Sequence, residues 1–303
     1  MPRAEQRTDP VAHHGEGPVW WDAWGGLRFV DMLAGDVLHL GSDGKVTRTH
    51  VGSVAAALRP RASGGAVVAT ERAFALAAHD DLSDLTHPRV LPDVWDDTGV
   101  RFNDGGCDPD GRFWCGTMAY DEAPGAGAMY RLAAVATAGE DTNDDTNQYA
   151  VERVWGDVTI SNGIGFSPDG SRAYYNDTPT RATSVLDYED GALRNRRDFA
   201  SLADEDERAG SPDGLCVDAE GGVWVALFGG SAVRRYSPQG RLDEVIELPV
   251  SQVTACTFGG PGLRELFITT SAEGLDRQRE PLAGALFSLT PGVAGQPTLP
   301  FAG

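Results

Sequence analysis

Three short phrases recur along this chain, and each places an oxygen-bearing side chain at the beginning of a strand–turn–strand segment. They are RFND at 101–104, ISNG at 160–163 and SPDG at 211–214. Seven residues after Asn103, Asn162 and Asp213 stands a second turn pair, DG at 110–111, DG at 169–170 and EG at 220–221. A β-rich run follows each second pair, which is typical of a hairpin. One Asn-Gly or Asp-Gly pair alone indicates only a backbone turn, but three in register indicate a repeat that gathers ligands at one place.

Six similar strand phrases indicate how many repeats the chain contains. They are GDVLHL at 35–40, FALAA at 74–78, AMYRL at 128–132, SVLDY at 184–188, AVRRY at 232–236 and ALFSL at 285–289. Each phrase is predicted to be the third strand of a unit, and the units advance by about 40 to 60 residues, the period of propeller blades with four short strands. The sequence therefore predicts an all-β fold, a six-bladed β-propeller with four antiparallel strands per blade.

The remaining segments fit a single propeller domain over residues 1–303. We expect residues 1–12 to form an N-terminal arm, since they precede the first strand phrase. The insertion at 137–147 is polar and acidic, so it cannot bury apolar surface and is predicted to be a loop between blades. Residues 291–303 are rich in Pro and Gly and are predicted to form a C-terminal tail.

The net charge of the chain excludes some classes of binding partner. A chain of 303 residues with a formal net charge of −20 is repelled by nucleic-acid backbones and by anionic membranes. No uninterrupted apolar run approaches the roughly 20 residues that span a bilayer, and the N-terminus has no apolar signal segment. We therefore predict a cytoplasmic protein that binds neither nucleic acid nor membranes. Its oligomeric state stays open.

The four cysteines have neither a C-x-x-C pair nor the spacing of a zinc site. Thiols buried in strands are therefore predicted. Cys107 and Cys115 flank one hairpin, so a disulfide between them stays an alternative.

A further series of phrases runs in order from residue 14 to about residue 290. These are HGEGPVW at 14–20, RFND at 101–104 with GTM at 116–118, SNG at 161–163, PDGLCVD at 212–218, and FGG at 258–260 with PLAG at 281–284. Together they resemble the regucalcin/gluconolactonase family over almost the whole chain. Any one phrase is weak evidence, but the ordered series is specific.

The resemblance implies a divalent cation at the mouth of the central channel. Its ligands would be Glu16, Asn162 and Asp213, the positions that match the family's metal site. Two carboxylates and an amide oxygen form a hard site of net charge −2 that suits calcium, magnesium or manganese. Some relatives of this kind bind zinc, but none of the three matched ligands is a His or Cys that would favour it. The identity of the cation stays open.

The resemblance also implies positions that contact the substrate. Asn103 matches a position beside the metal, while Arg101 and Asp121 match positions that hold substrate oxygens. Several relatives have a pair of glutamates where this chain has Tyr120 and Asp121, so the substrate preference is in question. As alternatives, Arg101 could be a solvated charge at a strand end and Asp121 a turn residue.

The function that follows is metal-dependent hydrolysis of a small-molecule sugar lactone. The cation would act as a Lewis acid on the ring carbonyl and would activate water, and Asp213 would be the general base or a ligand only. No G-x-S-x-G elbow supports a serine hydrolase instead. Two alternatives remain: hydrolysis of aryl or organophosphate esters at the same site, and a calcium-binding scaffold without enzyme activity.

Overall fold

The computed structural model describes residues 3–135 and 148–303. These residues form six separate four-stranded antiparallel sheets arranged as a ring around a central channel. The prediction of a six-bladed β-propeller is therefore confirmed. The predicted loop at 137–147 lies outside the described residues. No helix in the described ranges is long and apolar enough to cross a membrane.

Each blade consists of consecutive strands, except that the last blade is completed from the N-terminus. Blade 1 contains β2 (Gly15–Trp21), β3 (Gly26–Asp31), β4 (Asp36–Leu40) and β5 (Val46–His50). Blade 2 contains β6 (Ala57–Pro60), β7 (Ala66–Ala69), β8 (Phe74–Ala77) and β9 (Arg89–Val90). Blade 3 contains β10 (Val100–Cys107), β11 (Phe113–Ala119), β12 (Gly127–Ala134) and β13 (Tyr149–Val158).

The other three blades follow the same order. Blade 4 contains β14 (Ser161–Phe166), β15 (Arg172–Asp177), β16 (Ala182–Glu189) and β17 (Ala192–Ser201). Blade 5 contains β18 (Ser211–Val217), β19 (Val223–Phe228), β20 (Ala232–Tyr236) and β21 (Leu242–Glu247). Blade 6 contains β22 (Val253–Gly259), β23 (Glu265–Thr270), β24 (Phe287–Leu289) and β1 (Glu5–Gln6). Short 3-10 helices lie at Asp22–Trp24, Met32–Ala34, Ser83–Thr86, Thr178–Thr180, Glu207–Ala209 and Pro261–Leu263.

The strand order confirms the predicted phase of the repeats. The six strand phrases coincide with β4, β8, β12, β16, β20 and β24, each the third strand of its blade. The phrases at 101–104, 160–163 and 211–214 fall at the beginning of β10, β14 and β18, which are innermost strands. We call the end of the channel where the innermost strands begin the upper end, and the opposite end the lower end.

The first strand of the chain closes the ring. Strand β1 pairs antiparallel with β24, with Glu5 opposite Ser288 and Gln6 opposite Phe287. The segment predicted as an N-terminal arm thus supplies the outer strand of blade 6. This pairing joins the two ends of the propeller and covers an edge that would otherwise be open to another chain.

The C-terminal residues 291–303 pack across the lower end of the channel. The side-chain amide of Gln296 donates to the carbonyl oxygens of Phe166 (3.1 Å) and Val217 (3.2 Å). Phe301 is fully buried in the largest apolar cluster, which blades 1, 2 and 3 share. The segment predicted as a tail is therefore a packed part of the propeller.

Two tryptophans show how the repeat is stabilised inside the blades. Trp114 in β11 and Trp224 in β19 are fully buried at matching positions. The indole N–H of Trp114 donates to Asp108 at 2.8 Å, and that of Trp224 donates to Asp218 at 2.9 Å. Each aspartate directly follows the hairpin's first strand. A large apolar side chain is thus buried with its polar group satisfied.

All four cysteines are free thiols. Cys115 lies opposite Gly105, and Cys107 lies opposite Phe113, so the two thiols do not face each other across the hairpin. The Sγ atoms of Cys216 and Cys256, on neighbouring innermost strands, are 3.7 Å apart.

We expect Phe301→Ala to lower the free energy of unfolding by about 3–5 kcal/mol, because it opens a cavity in a fully packed site. Leu299→Ala is the matched control in the same segment. Leu299 is 36% exposed, and its truncation should cost less than about 1 kcal/mol. Urea unfolding followed by circular dichroism measures both. Equal small losses would mean that the C-terminal segment does not stabilise the propeller.

Candidate metal centre

Irregular pairing at the beginning of the innermost strands turns side chains towards the channel. The register against the second strand of the blade shifts after Glu16 in β2, after Phe102 in β10, after Ser161 in β14, after Pro212 in β18 and after Val253 in β22. Such bulges re-aim side chains and bend the strand. Asn103, Asn162 and Asp213 lie inside these bulges, and Glu16 lies directly before its own. Blade 2 has no register shift between β6 and β7 and supplies none of these residues.

The three predicted ligands line one cavity at the upper end of the channel. Glu16, Asn162 and Asp213 are each no more than 5% exposed and border a cavity of about 260 Å³. Arg101 and Asn103 border the same cavity. Strands β2, β10, β14 and β18, which are distant in sequence, therefore bring all five side chains together.

A chain of hydrogen bonds orients the side-chain amide of Asn162. The Thr178 hydroxyl donates to the carbonyl oxygen of Pro212 at 2.7 Å, so its oxygen accepts from Asn162 Nδ2, at 2.6 Å. Because the amide nitrogen is engaged there, Oδ1 is directed to the other side, towards Asn103. This orientation presents an oxygen, the atom that a hard cation requires.

Arg101 and Asn103 form the second oriented pair. Arg101 Nη1 donates to Asn103 Oδ1 at 2.6 Å, and this fixes the Asn103 amide. Asn103 Nδ2 donates to the Ser161 carbonyl at 2.8 Å and to Asn162 Oδ1 at 3.0 Å. Asn103 thus presents donors, and its observed role is to connect Arg101 with Asn162. Its predicted contact with substrate stays a prediction.

Arg101 is a buried guanidinium that forms no ion pair with a carboxylate of the described residues. It is 6% exposed, and its Nε has no hydrogen-bond partner there. Burial lowers the pKa of Arg101, while the charges of Tyr120, Glu273 and Glu16 raise it. A buried donor without a partner is costly, so this group is suited to a ligand oxygen in the cavity.

Asp213 carries a second unpartnered atom. Its Oδ1 is buried and has no hydrogen-bond partner, while its backbone carbonyl is held by Asn176 Nδ2 at 2.6 Å. Burial, followed by repulsion from Glu16 and Asp104, raises the pKa of Asp213 well above its ordinary value. An orphaned carboxylate oxygen beside a second carboxylate fits a bound cation.

Glu16 lies in the same electrostatic environment. Burial raises the pKa of Glu16 to about 8, and repulsion from Asp104 adds to this shift. The backbone N–H of Gly17 donates to Glu16 Oε2 at 3.0 Å and opposes the shift. Two buried carboxylates and one oriented amide oxygen match the donor set of calcium, magnesium or manganese.

The corresponding residue of blade 6 is turned away from the cavity. The Thr254 hydroxyl donates to the Gly15 carbonyl at 2.6 Å and lies 2.9 Å from the Thr269 hydroxyl. Both contacts lie inside the protein. The Thr254 side chain thus links blade 6 to blade 1 and does not line the cavity.

Asp121 lies in an exposed turn after β11. Its carboxylate accepts a hydrogen bond from the Ala123 N–H at 3.1 Å. Its neighbours Tyr120 and Glu122 border the cavity, whereas Asp121 does not. Glu122 has a φ of 55°, a left-handed conformation that is uncommon for a residue other than glycine. The assignment of Asp121 to substrate stays a prediction, and the geometry favours the two neighbours.

Several residues that shape the cavity were not predicted as site residues from the sequence. Thr178, which orients Asn162, belongs to the turn after β15, and only its position in the repeat could have suggested a role. His14 hydrogen-bonds Ser271 at 2.8 Å, and burial lowers the pKa of His14 to about 4, so its ring is neutral near pH 7. An apolar part of the wall is formed by Leu33, Met118, Ile160 and Phe228.

The chain is similar to known proteins in sequence. Residues 14–272 match the family model described as the SMP-30/Gluconolactonase/LRE-like region. Regucalcin of Sus scrofa is 34% identical over 304 residues, which cover 96% of this chain and 95% of that protein.

Two solved structures are similar to this propeller. One is a calcium-binding protein, regucalcin, from Agrobacterium tumefaciens, with 26% identity, a TM-score of 0.85 and coverage of 99% of this chain and 97% of that one. The other is a gluconolactonase from Xanthomonas campestris, with 25% identity, a TM-score of 0.72 and coverage of 95% and 89%. The chain therefore belongs to the SMP-30/gluconolactonase/LRE-like family.

Proposed function

We propose that this protein hydrolyses sugar lactones with the help of one divalent cation held by Glu16, Asn162 and Asp213. The observation that carries the proposal is the donor set: two buried carboxylates and an amide oxygen that meet at one cavity. Arg101 supports it further, because it borders the same cavity and its buried Nε has no hydrogen-bond partner among the described residues. Family membership and the gluconolactonase of Xanthomonas campestris support the reaction class.

The side chains of the cavity have different proposed roles in the reaction. When bound, the cation polarises a carbonyl oxygen and lowers the pKa of water. Arg101 donates to a substrate oxygen and orients the ring, because its Nε has no partner inside the protein. Asp213 would hold the cation and would also take the proton from the attacking water. Asn103 holds Arg101 and Asn162 in place. Asn103 and Asp121 are also proposed to contact the substrate.

One observation favours a second candidate function. Leu33, Met118, Ile160 and Phe228 form an apolar part of the cavity wall. A polyhydroxylated ring offers little apolar surface to such a wall, whereas an aryl or organophosphate ester does. Ester hydrolysis at the same cation site is therefore the alternative activity.

Add-back of metal to chelator-treated protein tests the proposal. We expect five- and six-membered aldonolactones to be hydrolysed only after calcium, magnesium, manganese or zinc is restored, with acid release followed by a pH indicator. Aryl esters are assayed in parallel, and faster turnover of these would favour the second candidate. Tight cation binding without turnover of either class would favour a binding scaffold, and turnover in excess chelator would contradict the metal-dependent mechanism.

The substitution Asp213→Asn distinguishes a role of Asp213 as general base from a role as cation ligand only. The amide retains an oxygen that can coordinate, but it cannot accept the proton, so we expect kcat at saturating cation to fall by about 10²–10⁴-fold. Calorimetry gives the dissociation constant of the cation separately. Asp169→Asn, in an exposed hairpin turn, is the control and should keep wild-type kcat. A kcat within a few-fold of wild type at saturating cation would assign Asp213 to coordination alone.

The raised pKa of Glu16 predicts how metal removal affects stability. Its carboxyl has a pKa of about 8 in the folded protein against an ordinary 4.5, so unfolding releases a proton between these pH values. The contribution of Glu16 to apoprotein stability is therefore present below pH 4.5 and is lost as pH rises to about 8. In chelator, we expect the unfolding temperature of wild type to fall more steeply across this range than that of Glu16→Gln.

Two controls complete this measurement. Asp121→Asn, in an exposed turn, should follow wild type. Calcium should restore the unfolding temperature of wild type but not that of Glu16→Gln. If the unfolding temperatures of wild type and Glu16→Gln changed with pH in the same way, Glu16 would not carry the buried charge of this site.

A further inference from the structure

His14 forms part of the wall of the upper cavity and directly precedes β2, the strand that carries Glu16. Glu273, in the turn that follows β23, borders the same cavity. The innermost strand of blade 6 turns its Thr254 side chain into the protein. Blade 6 therefore reaches the cavity through the turn that contains Glu273.

Hydrogen bonds on both sides hold the backbone of His14. Its N–H donates to Asp31 Oδ1 at 2.9 Å, and its carbonyl oxygen accepts from the Met32 N–H at 2.9 Å. His14 also forms an isolated β-bridge with Ser271 of blade 6. Blades 1 and 6 together thus fix the direction in which the His14 side chain leaves the backbone.

The polar contacts that the His14 ring makes with the described residues both use Nδ1. This nitrogen lies 2.8 Å from Ser271 Oγ and 3.2 Å from Glu273 Oε2. The Glu273 N–H donates to the same Ser271 Oγ at 3.0 Å, which keeps Glu273 next to the ring. An ionised carboxylate only accepts, so Nδ1 carries the hydrogen of this contact. Nε2 is then the ring nitrogen left for a molecule in the cavity.

A hydroxyl group suits Nε2 in either protonation state of the ring. A hydroxyl donates to a bare nitrogen and accepts from an N–H, whereas a carbonyl or ether oxygen only accepts. Arg101 borders the same cavity and carries donors alone, so it pairs with any substrate oxygen. The cavity wall thus contains two unlike polar side chains, and His14 is the one that distinguishes a hydroxyl group from a hydrogen atom.

We propose that His14 is a specificity-determining residue whose Nε2 hydrogen-bonds a hydroxyl group on the ring of the substrate, while Glu273 is a positioning residue that fixes the imidazole through Nδ1. This inference rests on the proposed function and deepens it, because it selects hydroxylated lactones over lactones and esters without hydroxyl groups.

The test combines substitutions of His14 with deletion of single hydroxyl groups from the substrate. Asparagine places its amide nitrogen near the position of Nδ1 and removes Nε2, whereas glutamine places a polar atom near the position of Nε2. We measure kcat/KM of wild type, His14→Asn and His14→Gln at saturating cation, with a six-membered aldonolactone and with each of its monodeoxy analogues.

A net hydrogen bond between neutral groups contributes about 2–10-fold, so we expect His14→Asn to lose this factor on the parent lactone. The analogue that lacks the contacted hydroxyl should show no such loss, and His14→Gln should recover part of the loss on the parent. Equal losses on the parent and on every analogue would mean that His14 only supports the fold. Equal losses, or no loss at all, would overturn the proposal.

Another histidine supplies the matched control. His87 is exposed and directly follows the 3-10 helix Ser83–Thr86. We expect His87→Asn to keep the wild-type kcat/KM on the parent lactone and on each analogue.

Glu273→Ala tests the positioning role and keeps the proposal testable if His14→Asn is unstable. The Glu273 side chain is 46% exposed, so its truncation should change the free energy of unfolding little. We expect a smaller loss than in His14→Asn, confined to the same substrates. An unchanged ratio of kcat/KM between the parent lactone and every analogue would refute the positioning role.

Wild type distinguishes failure of this inference from failure of the proposed function. If wild type hydrolyses no lactone after the metal is restored, the proposed function is wrong and the inference falls with it. If wild type hydrolyses the parent lactone while the substitutions of His14 affect all analogues equally, only the role of His14 is refuted.

Discussion

The closed ring is the constraint on which the rest of the structure depends. Four of the six innermost strands carry the five cavity residues, one or two polar side chains each, and none of these strands could build a cation site alone. Pairing of β1 with β24 completes blade 6 and fixes the last innermost strand, β22, against the first, β2. Closure therefore sets the distance between Glu16 on blade 1 and Asp213 on blade 5.

Bulges at the beginning of the innermost strands direct polar side chains towards one cavity. A regular strand alternates its side chains between the two faces of the blade, so a polar residue at the upper end would not point along the channel. The register shifts near Glu16, Asn103, Asn162 and Asp213 change that direction. Glycine at position 214 lets β18 and β22 approach closely, since a Cβ there would lie 2.8 Å from the Thr254 carbonyl. The same local irregularity thus aims the ligand and allows tight packing.

The repeat made much of this fold predictable from sequence, because every blade repeats the same turn and strand pattern. The spacing of the repeated phrases alone predicts six blades and the third strand of each. It also predicts that Asn103, Asn162 and Asp213 lie at the beginning of innermost strands. The spacing of the repeats does not predict which side chains contact each other between blades. The orientation of Asn162 depends on Thr178, a turn residue outside the repeated phrases. In the turn after β11 the residues that border the cavity are the neighbours of Asp121, because the turn geometry decides which side chain points inward.

The fold bears a stability cost because it buries charged side chains at the upper end of the channel. Glu16 and Asp213 are buried at the same cavity, and burial raises the pKa of both. Packed apolar side chains at these positions would stabilise the channel more. In the proposed site, an exchangeable divalent cation would compensate these charges. Arg101 borders the same cavity. Under this proposal, cation binding and stabilisation of an anionic reaction centre would be coupled through the same buried charges.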